Sequence, residues 1–213
     1  MTDTPKLEFF YDCSSPWTYF AFKRLQPIAF ELDVDVHWRP ILVGGVFNAV
    51  NQAVYSRREG MFRGDDTRQL RYYLKDLQDW AALCDITIVT PERHPISSVK
   101  AMRGAFFAEE QNALLPYSTA VFEAYWGGQR PDIDQDDVLT NICERVGLDS
   151  QAFHTAITAQ SYKDLLRANT DELIERGGYG SPTLFINGDD MFFGNDRLPL
   201  VERRLQSLRD VAV

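Results

Sequence analysis

The sequence predicts an α/β fold in which a small sheet is built from the two ends of the chain and a long, all-helical segment is inserted between them. Three observations support this prediction: a β-α-β pattern at the beginning, roughly a hundred residues of helical periodicity in the middle, and a β-hairpin followed by a helix at the end. The 213 residues suffice for one domain, or for one domain with a large insertion.

Composition narrows the classes of function. Hydrophobic residues make up 45% of the chain and charged residues 25%, the usual balance of a soluble globular protein. The formal net charge is -9, from 22 basic and 31 acidic side chains, which disfavours a nucleic-acid partner. There is no run of about 18 apolar residues, and Met1–Lys6 lacks the charged and apolar regions of a signal peptide. We therefore expect no membrane partner and no secretion.

The cysteines and histidines are not spaced like disulfide or metal sites. No C-x-x-C pair and no H-x-x-x-H pair occurs. The residues are scattered along the chain, at Cys13, Cys84, Cys143, His37, His94 and His154. We therefore expect no disulfide framework, no bound metal and a reducing, cytoplasmic location.

The beginning of the chain predicts a strand, a helix and a second strand. Lys6–Tyr11 is aromatic and β-prone. The turn after it contains Ser15, a favoured helix cap, and Pro16, which suits the first helical position. Trp17–Leu32 has apolar residues at helical spacing, and Val34–Trp38 alternates like a half-buried strand. The two strands of such a unit must be parallel.

The rest of the chain predicts helices and then a hairpin. Helical patterns cover residues 67–84, 97–125, 135–146 and 150–175. A weak strand signal at Ile86–Val89 interrupts them. Thr183–Phe193 then predicts two strands around an Asn-Gly turn, and Arg197–Leu208 predicts a closing helix.

This order of elements matches a thioredoxin-like core interrupted by an all-helical domain. We expect the core domain to be discontinuous, at residues 1–50 and 170–213, with the helical insertion at residues 51–169. In such a core, the helix after the first strand begins at the reactive group, which is commonly C-x-x-C. Free amides and the helix dipole stabilise a thiolate at that position.

Hydroxyl groups stand here where that motif has thiols. The equivalent residues are Ser15-Pro16-Trp17-Thr18, which cannot exchange disulfides but can stabilise the thiolate of a bound molecule. Lowering a thiol pKa by two units needs about 2.7 kcal/mol, which one charge-assisted hydrogen bond and a helix terminus can supply. Taken alone, Ser15 and Pro16 are better explained as an ordinary helix cap.

Two further segments favour a ligand-binding site over an ordinary helix cap. Ser181-Pro182 precedes a strand, where thioredoxin-like folds have a cis-proline facing the reactive helix, and the residue before it can offer its backbone to an extended peptide. Gly194, Asn195 and Asp196 combine a glycine turn, hydrogen-bonding side chains and a helix start, which fit a carboxylate-and-ammonium head group. Asn195 would take the anion and Asp196 the amine, although helix capping explains both residues equally well.

Four segments together resemble the family of 2-hydroxychromene-2-carboxylate isomerases and kappa-class glutathione transferases, which is related to periplasmic disulfide oxidoreductases. They are Tyr11–Tyr19, Arg39–Phe47, Gly180–Thr183 and Phe193–Leu198. The resemblance spans nearly the whole chain. It implies a glutathione-dependent isomerase of 2-hydroxychromene-2-carboxylate-type aromatic compounds, with glutathione as cofactor, acting as a homodimer. A transferase that conjugates glutathione to electrophiles is the alternative within the family.

The resemblance also implies roles for individual residues. Ser15 falls on the catalytic serine, which donates a hydrogen bond to the glutathione sulfur. Ser181, where the family has an aliphatic residue, would hold the cysteinyl backbone beside Pro182. The γ-glutamyl end would lie at Gly194, Asn195, Asp196 and Arg197. The loop over residues 48–52 departs from the family's S-G-N form, so a further glutathione contact falls on Asn51 or Gln52.

Several residues are candidates for binding the aromatic substrate: Trp17, Phe47, Ser97, Lys100, Arg103 and Trp126. The aromatic side chains are more simply explained by the core, and Lys100 with Arg103 by a solvated helix face. Two other functions stay open. Cys13 could support thiol-disulfide exchange, although a cysteine at a strand end is more often a buried apolar residue. The Pro182 edge could also bind a peptide without chemistry.

Overall fold

The computed structural model describes residues 5–50, 52–53, 67–91, 93–128 and 131–212. Within them lies a sheet of four strands in the order β2-β1-β3-β4. The strands are β1 (Leu7–Tyr11), β2 (Val36–Pro40), β3 (Thr183–Ile186) and β4 (Asp190–Phe193). As the β-α-β pattern predicts, β1 and β2 are parallel, whereas β3 is antiparallel to both β1 and β4. Both ends of the chain thus build one sheet, and the predicted α/β fold is confirmed.

Nine α-helices and a short 3-10 helix accompany the sheet in the described part of the chain. They are α1 (Pro16–Leu32), α2 (Val43–Val50), α3 (Thr67–Leu83), α4 (Val99–Glu110), α5 (Leu114–Trp126), α6 (Asp136–Arg145), α7 (Ser150–Thr158), α8 (Gln160–Glu175), the 3-10 helix Asn195–Arg197 and α9 (Leu198–Ala212). None of these helices is both long enough and apolar enough to cross a membrane.

The alternation of side chains along β1 divides the core into two layers. Phe9 and Tyr11 face the layer to which α1 and α9 contribute, whereas Phe10 faces the layer formed with α2 and α8. Phe185 of β3 packs edge-on against Phe10, with ring centroids 5.7 Å apart. Because both faces of the sheet are covered, its central strands are apolar on both sides.

The start of α1 is defined by its cap. Ser15 has an extended backbone, its side chain accepts a hydrogen bond from the Thr18 N–H, and Pro16 occupies the first helical position. The helix ends at Asp33, whose left-handed φ of 53° lets its N–H donate to the carbonyls of Ala29 and Phe30. The N-terminus of α1 is therefore held directly after β1.

Two short segments differ from the sequence-based expectation. Ile86–Val89 forms no strand; instead the Val89 N–H donates to the Trp126 carbonyl over 2.7 Å, which ties this segment to the end of α5. Asn48 and Val50, expected in a loop, belong to helix α2. Strand formation requires a neighbouring strand, and Ile86–Val89 meets a helix end.

The two longest helices predicted in the middle of the chain are each divided. Asn112, with a left-handed φ of 56°, separates α4 from α5, and Ala159, with an extended backbone, separates α7 from α8. Asparagine is one of the few residues that adopt the left-handed conformation readily. The bounds of the helical insertion, at residues 51–169, stay a prediction.

A charged network joins β1 to α8. Arg176 donates to the two carboxylate oxygens of Glu8 over 2.6 and 3.2 Å, and to Glu172 over 2.8 Å. Its guanidinium lies 3.9 Å from the ring centroid of Phe185. Burial by itself raises the pKa of Glu8, but the hydrogen bond and positive charge of Arg176 outweigh it and hold that pKa below its ordinary value. Ionised Glu8 therefore stabilises the folded state.

We expect Glu8→Gln to lower the free energy of unfolding by about 1 to 3 kcal/mol at neutral pH, because it removes the charge-assisted, bidentate hydrogen bonds from Arg176. A carboxyl group whose pKa is lower in the folded state stabilises the protein above its unfolded pKa. That stabilisation is lost as the pH falls through the folded pKa. The difference in free energy of unfolding between wild type and variant should therefore decrease as the pH falls from about 5 to about 3. Urea unfolding measures it.

Asp79→Asn is the matched control, because it breaks the exposed ion pair between Asp79 and Lys75. Exposed pairs contribute little, so the unfolding midpoint of this variant should stay close to that of the wild type. Equal unfolding midpoints for wild type and Glu8→Gln at neutral pH would contradict the prediction.

Candidate active site

A cleft of about 680 Å³ opens where the start of α1 meets the starts of α2 and α4. Three residues singled out from the sequence line it together: Ser15, Phe47 and Ser97. The other side chains that line it include Asp12, Tyr73, His94 and Ser98. The cleft is thus built from segments that are far apart in the chain.

Ser15 places a buried hydroxyl at the helix start. The residue is only 7% exposed. Its Oγ accepts the Thr18 N–H over 3.3 Å and donates to the Ser181 carbonyl over 3.4 Å. The second contact lies beyond the usual range for an O–H donor, so it is weak. The hydroxyl proton can therefore turn towards a better acceptor in the cleft.

The Ser181-Pro182 peptide bond, whose isomer the sequence left open, is cis. The Ser181 hydroxyl accepts the backbone N–H of Asp12 over 3.0 Å and meets the Thr18 hydroxyl at 2.8 Å. An aliphatic side chain could make neither contact. Serine at this position therefore ties the proline segment to the end of β1 and to α1.

The turn after β4 is attached to the same proline segment. The Gly194 N–H donates to the Pro182 carbonyl over 3.1 Å, and the positive φ of Gly194, 102°, suits glycine. Asn195 is 4% exposed, and its side-chain nitrogen has no hydrogen-bond partner among the described residues. Asp196, by contrast, is exposed and pairs with Arg197 over 2.9 Å. The buried, unpartnered amide is the feature of this turn that suits a ligand.

Asp12 lies beneath the cleft with 1% of its surface exposed. One carboxylate oxygen accepts the Ser14 N–H over 2.9 Å and the other accepts the Val43 N–H over 2.8 Å. Burial raises the pKa of Asp12 above its ordinary value, and hydrogen bonds from Ser14, Val43 and the Ser98 hydroxyl oppose that rise. Donors alone face this carboxylate in these contacts, which favours its ionised form.

The wall opposite the helix start contains His94. Its Nδ1 lies 2.8 Å from the Tyr125 hydroxyl, and its ring packs on Trp126 with centroids 5.3 Å apart. The Trp126 indole N–H donates to the Cys13 carbonyl over 2.9 Å. The end of α5 is therefore linked to the segment between β1 and Ser15.

Four residues predicted for substrate binding have other contacts in the structure. Trp17 packs on Phe20 and Tyr73, Lys100 pairs with Asp136 over 2.7 Å, the Arg103 Nη1 donates to the Ile157 carbonyl, and Trp126 is buried. None of the four is among the residues that line the cleft in the described part of the chain. The periodicity of the helices that carry these residues could not show which face of each helix meets the cleft.

Of the two residues predicted as a further glutathione contact, one lies within the part of the chain that the structure describes. Asn51 lies outside the described residues. Gln52 is exposed, and its amide nitrogen donates to the Asn48 carbonyl over 3.2 Å.

The structure gives Cys13 the surroundings of a core residue. Its side chain is buried, and burial raises the pKa of its thiol well above the ordinary value. A reactive thiol needs the opposite shift. Among the described residues, no group of three histidine, cysteine or acidic side chains could hold a metal ion.

Sequence reasoning overlooked Asp12, His94 and Ser98 as site residues. Asp12 stands three residues before Ser15, in a turn where acidic residues are common, so the sequence did not indicate that it is buried. Ser98 precedes α4 as its cap residue. His94 carries no spacing signal, because its contacts to Tyr125 and Trp126 span more than thirty positions of sequence.

Known proteins resemble this chain over nearly its whole length. Residues 6–206 match the family model of the DSBA-like thioredoxin domain. The 2-hydroxychromene-2-carboxylate isomerase of Pseudomonas putida is 30% identical over 204 residues, covering 95% of each chain. Glutathione S-transferase kappa 1 of Homo sapiens is 23% identical over 207 residues, covering 93% of this chain and 90% of the transferase.

A solved structure gives the same result. A 2-hydroxychromene-2-carboxylate isomerase, 29% identical in sequence, superposes with a TM-score of 0.80 and covers 97% of both chains. The likeness therefore includes the helical middle of the chain as well as the sheet. The chain belongs to the DSBA-like thioredoxin family, and within it to the group of 2-hydroxychromene-2-carboxylate isomerases and kappa-class glutathione transferases.

Proposed function

We propose that this protein is a glutathione-dependent isomerase of 2-hydroxychromene-2-carboxylate-type aromatic compounds. The observation that carries the proposal is the buried Ser15 hydroxyl at the start of α1, beside the cis Ser181-Pro182 bond and open to a cleft. Hydroxyls at this position cannot exchange disulfides, but they can stabilise the anionic sulfur of a bound thiol. The isomerase of Pseudomonas putida, at 30% identity, supports the reaction class.

The polar groups around the cis-proline fit the tripeptide. The Ser181 backbone suits an extended cysteinyl unit. The buried side-chain nitrogen of Asn195 suits a carboxylate, and the exposed carboxylate of Asp196 suits an ammonium group. Bound glutathione would supply a thiol sulfur that adds reversibly to a conjugated ring, so that a bond in the opened ring can rotate.

Ser15 would act as a hydrogen-bond donor. Its oxygen already accepts the Thr18 N–H, and its O–H makes a long contact with the Ser181 carbonyl. A sulfur anion is a stronger acceptor than a carbonyl at that distance, so the hydroxyl proton would turn towards it. Together with the positive end of α1, this donor accounts for a thiol pKa lowered by about two units.

The remaining walls of the cleft suit an aromatic carboxylate. Phe47, Tyr73 and Ile96 provide flat or apolar surface, and the exposed hydroxyl of Ser97 lies next to the start of α4. A hydroxyl and a helix start favour an anion. Lysine and arginine are not needed in this assignment, because Lys100 already pairs with Asp136.

We expect Ser15→Ala to lower turnover by about a hundred-fold, because the donor to the sulfur is lost while the cleft keeps its shape. The thermal unfolding midpoint should fall by only a few degrees, because the Ser15 cap of α1 is lost as well. Steady-state kinetics with glutathione and 2-hydroxychromene-2-carboxylate measures the effect. Ser207→Ala is the control, since Ser207 donates to the Arg203 carbonyl on the exposed face of α9. Wild-type turnover in Ser15→Ala would remove Ser15 from the mechanism.

We expect Asn195→Ala and Asp196→Ala to weaken glutathione binding by about ten-fold each, since each removes one hydrogen bond to a charged group. Titration calorimetry measures the affinity. Cysteinylglycine, which lacks the γ-glutamyl unit, should bind wild type and variants alike.

Asn141→Ala is the matched control for this prediction, because Asn141 is an exposed asparagine of α6. Unchanged glutathione affinity in Asn195→Ala and Asp196→Ala would place the γ-glutamyl head group elsewhere.

Glutathione transfer to an electrophile is the second candidate, because the human kappa transferase is 23% identical over 93% of this chain. The two reactions would use the same serine and differ in the fate of the thiol. We expect isomerisation to require glutathione and to consume none of it. Titrating free thiol as the chromene absorbance changes distinguishes the two, and loss of one thiol per product formed would favour transfer.

A further inference from the structure

We propose that Asp12 is a positioning residue for the reaction of this site, which holds the turn carrying Ser15 against the starts of α2 and α4. The inference rests on the proposed function, in which Ser15 stabilises a bound thiolate. It assigns Asp12 no contact with the ligand.

The contacts of Asp12 join several of the segments around the cleft. Its carboxylate accepts the N–H groups of Ser14 and Val43 over 2.9 and 2.8 Å, and the Ser98 hydroxyl lowers the pKa of this carboxylate. Its backbone N–H donates to the Ser181 hydroxyl over 3.0 Å, and its carbonyl accepts the Ser15 N–H over 3.2 Å. One residue thus connects the catalytic turn, two helix starts and the cis-proline segment.

The chemistry of this arrangement requires a carboxylate. An ionised carboxylate accepts hydrogen bonds at both oxygens, whereas the amide of asparagine has one accepting oxygen and one donating nitrogen. In Asp12→Asn, an NH₂ group would therefore face either the Ser14 or the Val43 N–H, two donors in conflict. A buried conflict of this kind is relieved by moving one of the segments apart.

Movement of these segments would displace Ser15 relative to the cis-proline edge. The Ser15 N–H donates a hydrogen bond to the Asp12 carbonyl. The Ser181 carbonyl, which accepts the Ser15 hydroxyl, belongs to the residue whose own hydroxyl accepts the Asp12 N–H. The Asn195 turn is bonded to Pro182 through Gly194, but it also has a contact that does not involve Asp12, because Arg24 donates to the Asn195 carbonyl over 2.8 Å. Sulfur activation should therefore suffer more than tripeptide binding.

We expect Asp12→Asn to lower kcat by about ten-fold or more, while the KM for glutathione changes by less than about two-fold. The ultraviolet thiolate absorbance of bound glutathione gives a second readout. A displaced Ser15 raises the apparent pKa of the bound thiol towards its free value, whereas loss of a nearby negative charge lowers it. A rise supports positioning, and a fall or no change overturns it.

Thr170→Val is the matched control, because the buried Thr170 hydroxyl accepts the N–H of Leu42, next to Val43 at the same helix start. It should reduce stability and leave kcat within about two-fold of wild type. An equal loss of kcat in Thr170→Val would reduce the role of Asp12 to general support of α2 and overturn the inference.

Ser98→Ala keeps the test decisive if Asp12→Asn does not fold, since it keeps the carboxylate and removes the Ser98 hydroxyl, which lowers the pKa of Asp12. We expect a folded protein with kcat lowered by about three-fold and a raised thiol pKa. Wild-type values for both quantities would contradict the role of Asp12. Failure of the proposed function has a different signature, because the wild-type protein itself would then show no thiolate absorbance with glutathione.

Discussion

A buried carboxylate that must be satisfied by hydrogen bonds organises the cleft of this protein. Asp12 follows β1 directly, and the cost of burying its charge is offset only when donors surround it. Two of those donors are the N–H groups of Ser14, in the turn before α1, and of Val43, at the start of α2. Ser98, before α4, also lowers the pKa of Asp12. Because each donor has a narrow range of distance and angle, the carboxylate restricts how these segments can lie relative to one another.

The exchange of thiols for hydroxyls explains how a thioredoxin-like helix start can serve another chemistry. The same N-terminus that stabilises a thiolate within disulfide oxidoreductases here carries Ser15 and Thr18. In the proposed function the reactive sulfur comes from a ligand, while the dipole and the hydroxyl donor stay with the protein. Cys13 does not replace it, since burial raises the pKa of its thiol. Ser181 adds a polar link, bonded to Asp12 and Thr18, that an aliphatic residue would lack.

Much of the fold follows from signals that act between neighbouring residues. The Ser15 cap, the strand β1 and the turn at Asn187 and Gly188, both with positive φ, all lie where the sequence predicts them. The errors arose where local signals compete with distant contacts. Ile86–Val89 has the composition of a strand but bonds to the end of α5 through Val89. The helical pattern over residues 97–125 conceals the break at Asn112.

The order of most elements and the hydroxyl groups of Ser15 and Thr18 could be predicted from the sequence, because they depend on residue types at short, regular spacing. The family was indicated by the resemblance of four separate segments. Which side chains share the cleft became apparent from the folded structure alone. Phe47 and Ser97 face it, whereas Arg103 turns to the Ile157 carbonyl and Trp126 to that of Cys13. The burial and hydrogen bonding of a side chain depend on segments that folding brings together. The periodicity of one helix does not indicate which those segments are.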